Sequence, residues 1–224
     1  MNSLSISIPA YNEEFTIEQV VRECCEAGKS ICPDIEILVI NDGSRDNTQN
    51  ILLKLQQEGL PVTINLHPEN LGFGPTLKEV FTGPGKEWVF MISSDGQINP
   101  QELFKLIPYT KEFDYILGWR KNRQDNLFRK FAAYSYSLLI SMIARKRVHD
   151  VDSVVLVRRN SIPESFIANS AFVHAEIFLN AVKNNKNIIE IPIAHNSRLH
   201  GKASGVKFKV VIKVFYDLFR YLFT

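Results

Sequence analysis

Short apolar runs alternate with longer amphipathic segments along most of this chain, and no other feature constrains its fold more. The apolar runs at residues 4–9, 35–40, 62–66 and 88–92 have the length of strands. The segments between them repeat apolar side chains at helical spacing, which predicts helices. Such β–α–β units build a mostly parallel sheet with helices on its faces. The sequence therefore predicts an α/β, Rossmann-like fold.

The remaining elements follow from the same patterns. Three further strands are predicted, and the last of them contains Pro192, which suits a strand at the edge of a sheet. The predicted strands are 115–118, 154–157 and 188–193. The predicted helices are 13–27, 46–57, 71–81, 100–109, 128–144 and 172–182. The helix at 128–144 is apolar enough to be largely buried or embedded in a surface.

The C-terminal stretch 206–224 is predicted to be a basic amphipathic helix outside a main domain at 1–205. A helix of this kind either lies in a membrane interface or packs on the domain with its basic face outward. No run approaches the roughly 20 apolar residues of a spanning helix. The N-terminus lacks the pattern of a secretory signal. If a membrane is involved, we expect the protein to lie on its surface.

Composition limits the class of protein and its partners. The 224 residues suit one large domain, and 26 Lys and Arg against 24 Asp and Glu leave a formal charge of +2. That balance argues against nucleic acid as the main partner. The three cysteines form no C-x-x-C pair and the five histidines have no cysteine partners, so neither disulfides nor zinc are predicted. A reducing, cytoplasmic setting is expected.

Charge is distributed unevenly along the chain. Residues 120–160 contain ten basic and three acidic side chains, whereas the first sixty residues contain ten acidic and four basic ones. The basic half is therefore expected to meet an anionic partner, although a solvated helical face would give the same pattern.

Polar residues follow several predicted strands at their carboxyl ends, where open α/β sheets bind ligands. Asp42 could accept hydrogen bonds from a base or a ribose, and Asp95 could hold a divalent cation that bridges two phosphates. Mg²⁺ often takes only one or two protein carboxylates, so one aspartate can suffice. No G-x-G-x-x-G follows the first strand, which argues against a dinucleotide-binding dehydrogenase.

Taken together, these motifs resemble family 2 glycosyltransferases over the whole chain. The motifs occur in the order P-A-Y-N-E-E (9–14), N-D-G-S-x-D-x-T (41–48), N-x-G-F-G (70–74), S-S-D-G-Q (93–97) and G-x-R (118–120). The fit is closest to the polyprenyl-phosphate sugar synthases, such as dolichyl-phosphate mannose synthase. The resemblance implies a GT-A fold: a mostly parallel Rossmann-like sheet flanked by helices.

The resemblance also implies roles for individual residues. Those expected to hold the nucleotide of a UDP- or GDP-sugar are Pro9, Ala10, Tyr11, Glu13, Asn41, Asp42 and Ser94. Asp95 and Gln97 are expected to bind Mg²⁺ or Mn²⁺ and the diphosphate. Arg198 and Lys202 would close over the pyrophosphate, where cations offset the charge of the leaving group. Arg120 and Arg129 would position an anionic polyprenyl-phosphate acceptor.

Three positions depart from the family pattern. Ser93 replaces the first acid of Asp-x-Asp, Asn41 replaces the first acid of Asp-Asp-Gly-Ser, and Val154-Val155 replaces an expected Gly-Phe. The first change bears on metal affinity and the third on the acceptor loop.

The function predicted is metal-assisted, inverting transfer of a sugar to a polyprenyl phosphate at the cytoplasmic face of a membrane. A phosphate acceptor is largely anionic at neutral pH and needs orientation more than deprotonation. A glycan hydroxyl acceptor would need a general base, for which Asp150 or Asp152 is the candidate. Both aspartates could instead pair with Arg145, Lys146 or Arg147. A catalytically silent nucleotide-sugar-binding protein is a further alternative.

Overall fold

The first strand lies near the middle of a seven-stranded sheet and is buried along nearly its whole length. The computed structural model describes residues 1–198 and 208–223. Its strands are β1 (Ser3–Ala10), β2 (Asp34–Asn41), β3 (Val62–Leu66), β4 (Trp88–Met91), β5 (Tyr115–Arg120), β6 (Val155–Arg158) and β7 (Ile188–Ile193). The strand order is β3-β2-β1-β4-β6-β5-β7, and only β6 runs antiparallel to its neighbours. The predicted α/β fold is confirmed, with β7 at the expected edge.

Helices cover both faces of the sheet. They are α1 (Ile17–Ile31), α2 (Thr48–Gln57), α3 (Phe73–Thr82), α4 (Leu103–Leu106), α5 (Leu127–Ala144), α6 (Val173–Lys183) and α7 (Phe208–Leu222). Alternate residues of β2 face opposite sides: Ile37 and Val39 join the hydrophobic cluster on one face, and Leu38 and Ile40 join the other. Burial on both faces explains why this strand is apolar nearly throughout.

Helix α1 begins at Ile17 instead of Glu13, because the preceding backbone bonds elsewhere. Asn12 has a positive φ of 55°. Three backbone amides then donate to side chains after β2: Asn12 to Ser44 Oγ (2.9 Å), Glu13 to Thr48 Oγ1 (2.9 Å) and Glu14 to Asp46 Oδ2 (3.1 Å). These bonds fix the turn after β1 against the loop after β2 and delay the helix.

Helix α5 presents an apolar stripe to the outside. Only Ser137 and Ile140 are buried, so the helix is not largely buried as one prediction allowed. The large apolar side chains exposed on it are Leu127, Phe128, Phe131, Tyr134, Leu138 and Met142. From Phe128 onward they recur every three or four residues, which places them along one side of the helix, and Leu127 adjoins them at its first turn.

Helix α7 has one docked side and one exposed side. Leu218 is buried in the core, and Asp217 Oδ2 accepts a 2.7 Å hydrogen bond from the amide of Asn169. The opposite side exposes the apolar residues Val211, Ile212, Phe215, Tyr216, Phe219 and Leu222. The helix therefore packs on the domain and still leaves an apolar face uncovered. Within residues 1–198 and 208–223, no helix has the length and apolar character needed to span a bilayer.

Gly43 is required where the loop after β2 meets the loop after β3. Its φ is +65°, and a Cβ there would overlap the backbone of Glu69 and Asn70. An L-residue is strained in that conformation by roughly 1–2 kcal/mol, and the overlap adds to this cost.

We expect Gly43→Ala to lower the free energy of unfolding by about 2 kcal/mol or more, measured by urea denaturation. Gly85→Ala is the matched control, because a Cβ at Gly85 meets nothing within 4 Å. Equal stability of the two variants would contradict the close approach of the two loops.

Candidate functional site

The polar segments predicted to form one site do lie together, at the carboxyl edge of β1, β2 and β4. Strand β1 pairs in parallel with both neighbours, so the three carboxyl ends meet at one edge. The Ser94 hydroxyl donates a 2.8 Å hydrogen bond to the carbonyl of Pro9, and the Asp42 amide donates to the carbonyl of Ala10 (2.9 Å). Tyr11 is exposed just beyond them.

Two carboxylates at this edge share one guanidinium group. Arg198 Nη2 lies 2.7 Å from Asp95 Oδ2 and 3.7 Å from Glu13 Oε1. The amide of Gln97 donates to Asp95 Oδ1 (3.1 Å) and fixes that carboxylate. Burial raises the pKa of Glu13, Arg198 opposes the increase, and the charge of Asp95 adds to it. The two acids therefore form a pocket of negative charge that a cation stabilises.

This arrangement fits a divalent cation held by few protein ligands. A positive group already lies within 4 Å of both carboxylates, and Mg²⁺ often takes only one or two of them. Arg198 Nε is buried without a hydrogen-bond partner in the described part of the chain, so one N–H remains for an anion such as a phosphate oxygen. Among the described residues, no group of three or more His, Cys, Asp or Glu could hold a metal.

The segment that carries Arg198 crosses from the far edge of the sheet. It follows β7 and is fixed at three points: Ala194 N to Glu102 Oε2 (3.2 Å), Gln124 N to His195 Nδ1 (3.1 Å) and Asn196 N to Gln97 O (2.7 Å). Sequence reasoning missed His195 and Glu102. His195 follows a strand end, so the search that found Asp95 would also have found it.

Asn41 and Asp42 organise the loops around them. Asp42 accepts hydrogen bonds from the amides of Leu71 (2.8 Å) and Gly72 (3.0 Å), and its Oδ1 lies 2.8 Å from His67 Nδ1. Asn41 is fully buried and donates to Gln49 Oε1 (2.8 Å). A cavity of about 260 Å³ borders this group. Both side chains, like that of Ser94, bond to protein groups, and their contact with a nucleoside stays a prediction.

A second, basic cavity of about 560 Å³ opens beside the first site, between the end of β5 and the start of α5. Its basic lining residues are Arg120, Lys121, Arg123, Lys130 and His149. Lys121 and Lys130 have no ion-pair partner among the described residues. Their ammonium groups are therefore available to an anion in the cavity.

Asp150 lies at the cavity wall and forms ion pairs with two arginines. Arg120 binds it with two bonds of 2.6 and 2.7 Å, and Arg123 Nη1 lies 3.3 Å from Oδ1. Burial lowers the pKa of Arg120, but the charge and hydrogen bonds of Asp150, together with the charges of Asp152 and Asp125, outweigh it and raise that pKa. The structure does not show the alternative in which Asp150 pairs with residues 145–147, because its partners are Arg120 at the end of β5 and Arg123 just after it.

The other two residues of the predicted acceptor group differ in environment. Arg129 pairs with Asp125 (3.0 Å), and its amide donates to Asn126, which caps α5. Asp152 is surrounded by protein atoms yet open to solvent on one side. Desolvation and the neighbouring charge of Asp150 raise the pKa of Asp152 to about 7, and the open side moderates that increase.

The predicted residues thus form two groups. The nucleotide and metal candidates surround Asp95, and Arg120, Arg129, Asp150 and Asp152 surround or adjoin the basic cavity. His195 lies between them: burial lowers its pKa, and charges from both groups act on it, including Arg120 and Asp95. Lys202 lies outside the described residues.

We predict that the Asp42–His67–Glu79 group makes stability depend on pH. His67 Nε2 lies 2.9 Å from Glu79 Oε1. Burial opposes protonation, but the bonds to Asp42 and Glu79 raise the pKa of His67 above its ordinary 6.5. A group whose pKa is raised by folding stabilises the native state fully below its unfolded pKa and loses this effect as pH rises through the folded value. The free energy of unfolding should therefore fall above pH 6.5.

Urea denaturation from about pH 6 to about pH 9 measures this dependence, and His67→Gln is the comparison. The variant should show a flatter profile over that window. Parallel profiles for the two proteins would contradict the assignment.

The sequence of this chain is similar to those of known glycosyltransferases. The sequence model described as Glycosyl transferase family 2 matches residues 5–166. The chain is 30% identical, over 97% of its length and 67% of the relative's, to undecaprenyl-phosphate 4-deoxy-4-formamido-L-arabinose transferase of Salmonella choleraesuis.

Solved structures agree in fold. Glucosyl-3-phosphoglycerate synthase of Mycobacterium tuberculosis, crystallised with Mn²⁺, UDP and glucosyl-3-phosphoglycerate, has a TM-score of 0.72 at 18% identity over 98% of this chain and 79% of that one. Residues 1–349 of S. aureus TarS have a TM-score of 0.57 at 23% identity, covering 87% and 59%. The predicted GT-A fold is confirmed. From the family match and the sequence relative together, this chain belongs to glycosyl transferase family 2 and is a glycosyltransferase.

Proposed function

We propose that this protein transfers a sugar, with inversion, from a UDP- or GDP-sugar to a polyprenyl phosphate at a membrane surface. One observation carries the proposal: a carboxylate site around Asp95 and a basic cavity around Lys130 are joined by the segment 194–198. The first site suits a cation with a diphosphate, and the second suits an anionic acceptor.

Related proteins support both the proposed acceptor and the proposed donor. The Salmonella relative is named for undecaprenyl phosphate, a polyprenyl phosphate. The Mycobacterium tuberculosis structures contain UDP with Mn²⁺ or Mg²⁺. A UDP-sugar is therefore the first donor to test.

At the donor site, Asp95 and Glu13 would hold Mg²⁺ or Mn²⁺, with Gln97 fixing Asp95 in place. The cation would offset the charge that develops on the departing nucleoside diphosphate. Arg198 pairs with both carboxylates, and its Nε–H has no hydrogen-bond partner among the described residues. That group, with Lys202, would bind diphosphate oxygens.

At the acceptor site, the charge balance favours phosphate over hydroxyl. Both oxygens of Asp150 are already engaged by guanidinium groups of the protein. A phosphate monoester with a second pKa of roughly 6 is already largely anionic at neutral pH and needs only to be held in place. Lys121, Lys130 and the remaining Arg120 N–H groups supply that hold. An oriented phosphate oxygen can attack the anomeric carbon opposite the leaving group, which inverts the configuration.

A glycan hydroxyl acceptor is the second candidate, because one observation favours it. Asp152 is exposed beside Arg120, whose Nη2 donates to the Asp152 carbonyl (3.2 Å), and desolvation with the charge of Asp150 raises the pKa of its carboxyl group, which suits a general base near neutral pH.

The uncovered apolar faces support placement on a bilayer. Tyr134 lines the cavity and also belongs to the exposed stripe of α5, so this stripe reaches the acceptor site. The exposed side of α7 adds a second apolar surface. Aromatic and aliphatic side chains beside basic residues suit an interface with anionic lipid. We place the protein peripherally, at the cytoplasmic face of a membrane.

Asp95→Asn should weaken the binding of nucleoside diphosphate with Mn²⁺, because it removes the charge that holds the cation. A thermal-shift panel of UDP and GDP, with and without Mn²⁺, measures this. The exposed Glu26→Gln is the control. We expect a metal-dependent rise in melting temperature that only Asp95→Asn loses. No shift of the wild type by either nucleotide would contradict the donor site.

Lys130→Gln should raise KM for undecaprenyl phosphate about tenfold or more, because a charge-assisted hydrogen bond is lost. A panel of UDP-sugars with undecaprenyl phosphate in liposomes measures transfer, and Lys183→Gln, on the exposed end of α6, is the control. Transfer to a glycan hydroxyl that Lys130→Gln leaves unchanged would favour the second candidate. Nucleotide binding without transfer to any acceptor would favour a catalytically silent binder.

A further inference from the structure

A histidine and a glutamate form a fixed pair at the wall of the basic cavity. His149 Nδ1 lies 2.7 Å from Glu190 Oε2, and the His149 amide donates to Glu190 Oε1 (2.8 Å). The carboxylate thus holds both the ring and the backbone, and its charge requires a proton on Nδ1. Glu190 is on β7, so this pair joins the edge strand to the cavity.

A tryptophan ring covers one side of the histidine. The Trp119 and His149 rings stack with centroids 4.4 Å apart and planes 23° from parallel. An indole face at this distance stabilises a cation. Glu190 and Trp119 therefore fix the orientation of the ring between a carboxylate and an indole face.

The second ring nitrogen, Nε2, is left for a ligand. No described residue makes a hydrogen bond to it, and about a third of the side chain is exposed (33%) at the cavity wall. Four basic groups share the cavity with His149: Arg120, Lys121, Arg123 and Lys130. Asp150, on the same loop, partly offsets them.

We propose that His149 selects a phosphate acceptor by taking up a proton when the phosphate enters. The inference rests on the proposed function, since it assumes that the acceptor occupies this cavity. A neutral Nε2 presents a lone pair, which repels the oxygens of a phosphate dianion because they also only accept. The charge of the incoming phosphate favours the protonated ring: Nε2 gains a proton from solvent, and the new N–H donates to a phosphate oxygen. No bond to phosphorus is made or broken.

The bound state then has an imidazolium between two anions, Glu190 on one side and the phosphate on the other. A hydroxyl acceptor brings no charge to drive this proton uptake. The pair therefore favours phosphate monoesters over alcohols of the same chain.

Titration calorimetry with farnesyl phosphate tests this without any donor sugar. Repeating the titration near pH 7.5 in buffers of different ionisation enthalpy gives the number of protons taken up. We expect uptake of a substantial fraction of one proton by the wild type. His149→Gln should abolish this uptake and weaken binding about tenfold. Glu190→Gln should reduce uptake, and Lys183→Gln should change nothing.

Two further ligands separate the contribution of the phosphate group from that of the lipid chain. Inorganic phosphate should bind more weakly and with a smaller net uptake, because its monoanionic fraction releases a proton on binding as the dianion, and farnesol should cause none. Nitrogen NMR of labelled histidine should show both His149 nitrogens protonated only in the phosphate complex. Melting temperatures of the variants exclude unfolding as the cause of lost binding.

Each of the other possible results would refute one part of the proposal. Binding of farnesyl phosphate with no uptake, or with uptake unchanged in His149→Gln, would refute the role of His149 and leave the lipid acceptor intact. Failure of farnesyl phosphate to bind a protein that binds UDP would refute the acceptor assignment and this inference together. Proton uptake with farnesol would refute the selection of phosphate.

Discussion

The parallel pairing of β1 with β2 and β4 is the constraint on which the sites depend. It brings the carboxyl ends of three strands to one edge, where Glu13, Asp42 and Asp95 lie close together. The far edge completes the arrangement, because β7 runs parallel to β5 and directs the segment after it back toward Asp95. One chain segment thereby contacts the acidic edge and the loop that borders the basic cavity.

Charge exchange explains how one structure can suit both an empty and a loaded site. Arg198 lies against Asp95 and Glu13 and offsets their charge. A divalent cation can take over that role, and the guanidinium can then bind the diphosphate, so no buried charge is left unpaired. In the basic cavity the signs of the charges are reversed. Asp150 is neutralised by two arginines, and the unpaired lysines leave a positive field for an incoming anion.

Sequence patterns predicted the positions of strands and helices, which depend mainly on residues that are neighbours along the chain. The period of the apolar residues located every strand within two residues of its observed ends, because buried parallel strands leave little freedom in composition. The start of α1 was missed by four residues, since the amides of Asn12, Glu13 and Glu14 bond to side chains more than thirty positions away.

Contacts between residues far apart in the sequence were also missed at the two sites. Asp95 and Asp42 were found because they follow strands, whereas the only partners considered for Asp150 were its chain neighbours, and its observed partners are Arg120 and Arg123. His149 and Glu190 are 41 positions apart and belong to no shared motif. Only the folded sheet brings them together, so no pattern of spacing could have paired them.

A crystal of the protein with Mn²⁺, UDP and farnesyl phosphate tests the central claim most directly. The account predicts an anomalous manganese peak against Asp95, with Arg198 moved from that carboxylate to the diphosphate, and a phosphate density within the basic cavity. A manganese peak away from Asp95, or a lipid phosphate bound outside the cavity, would contradict it.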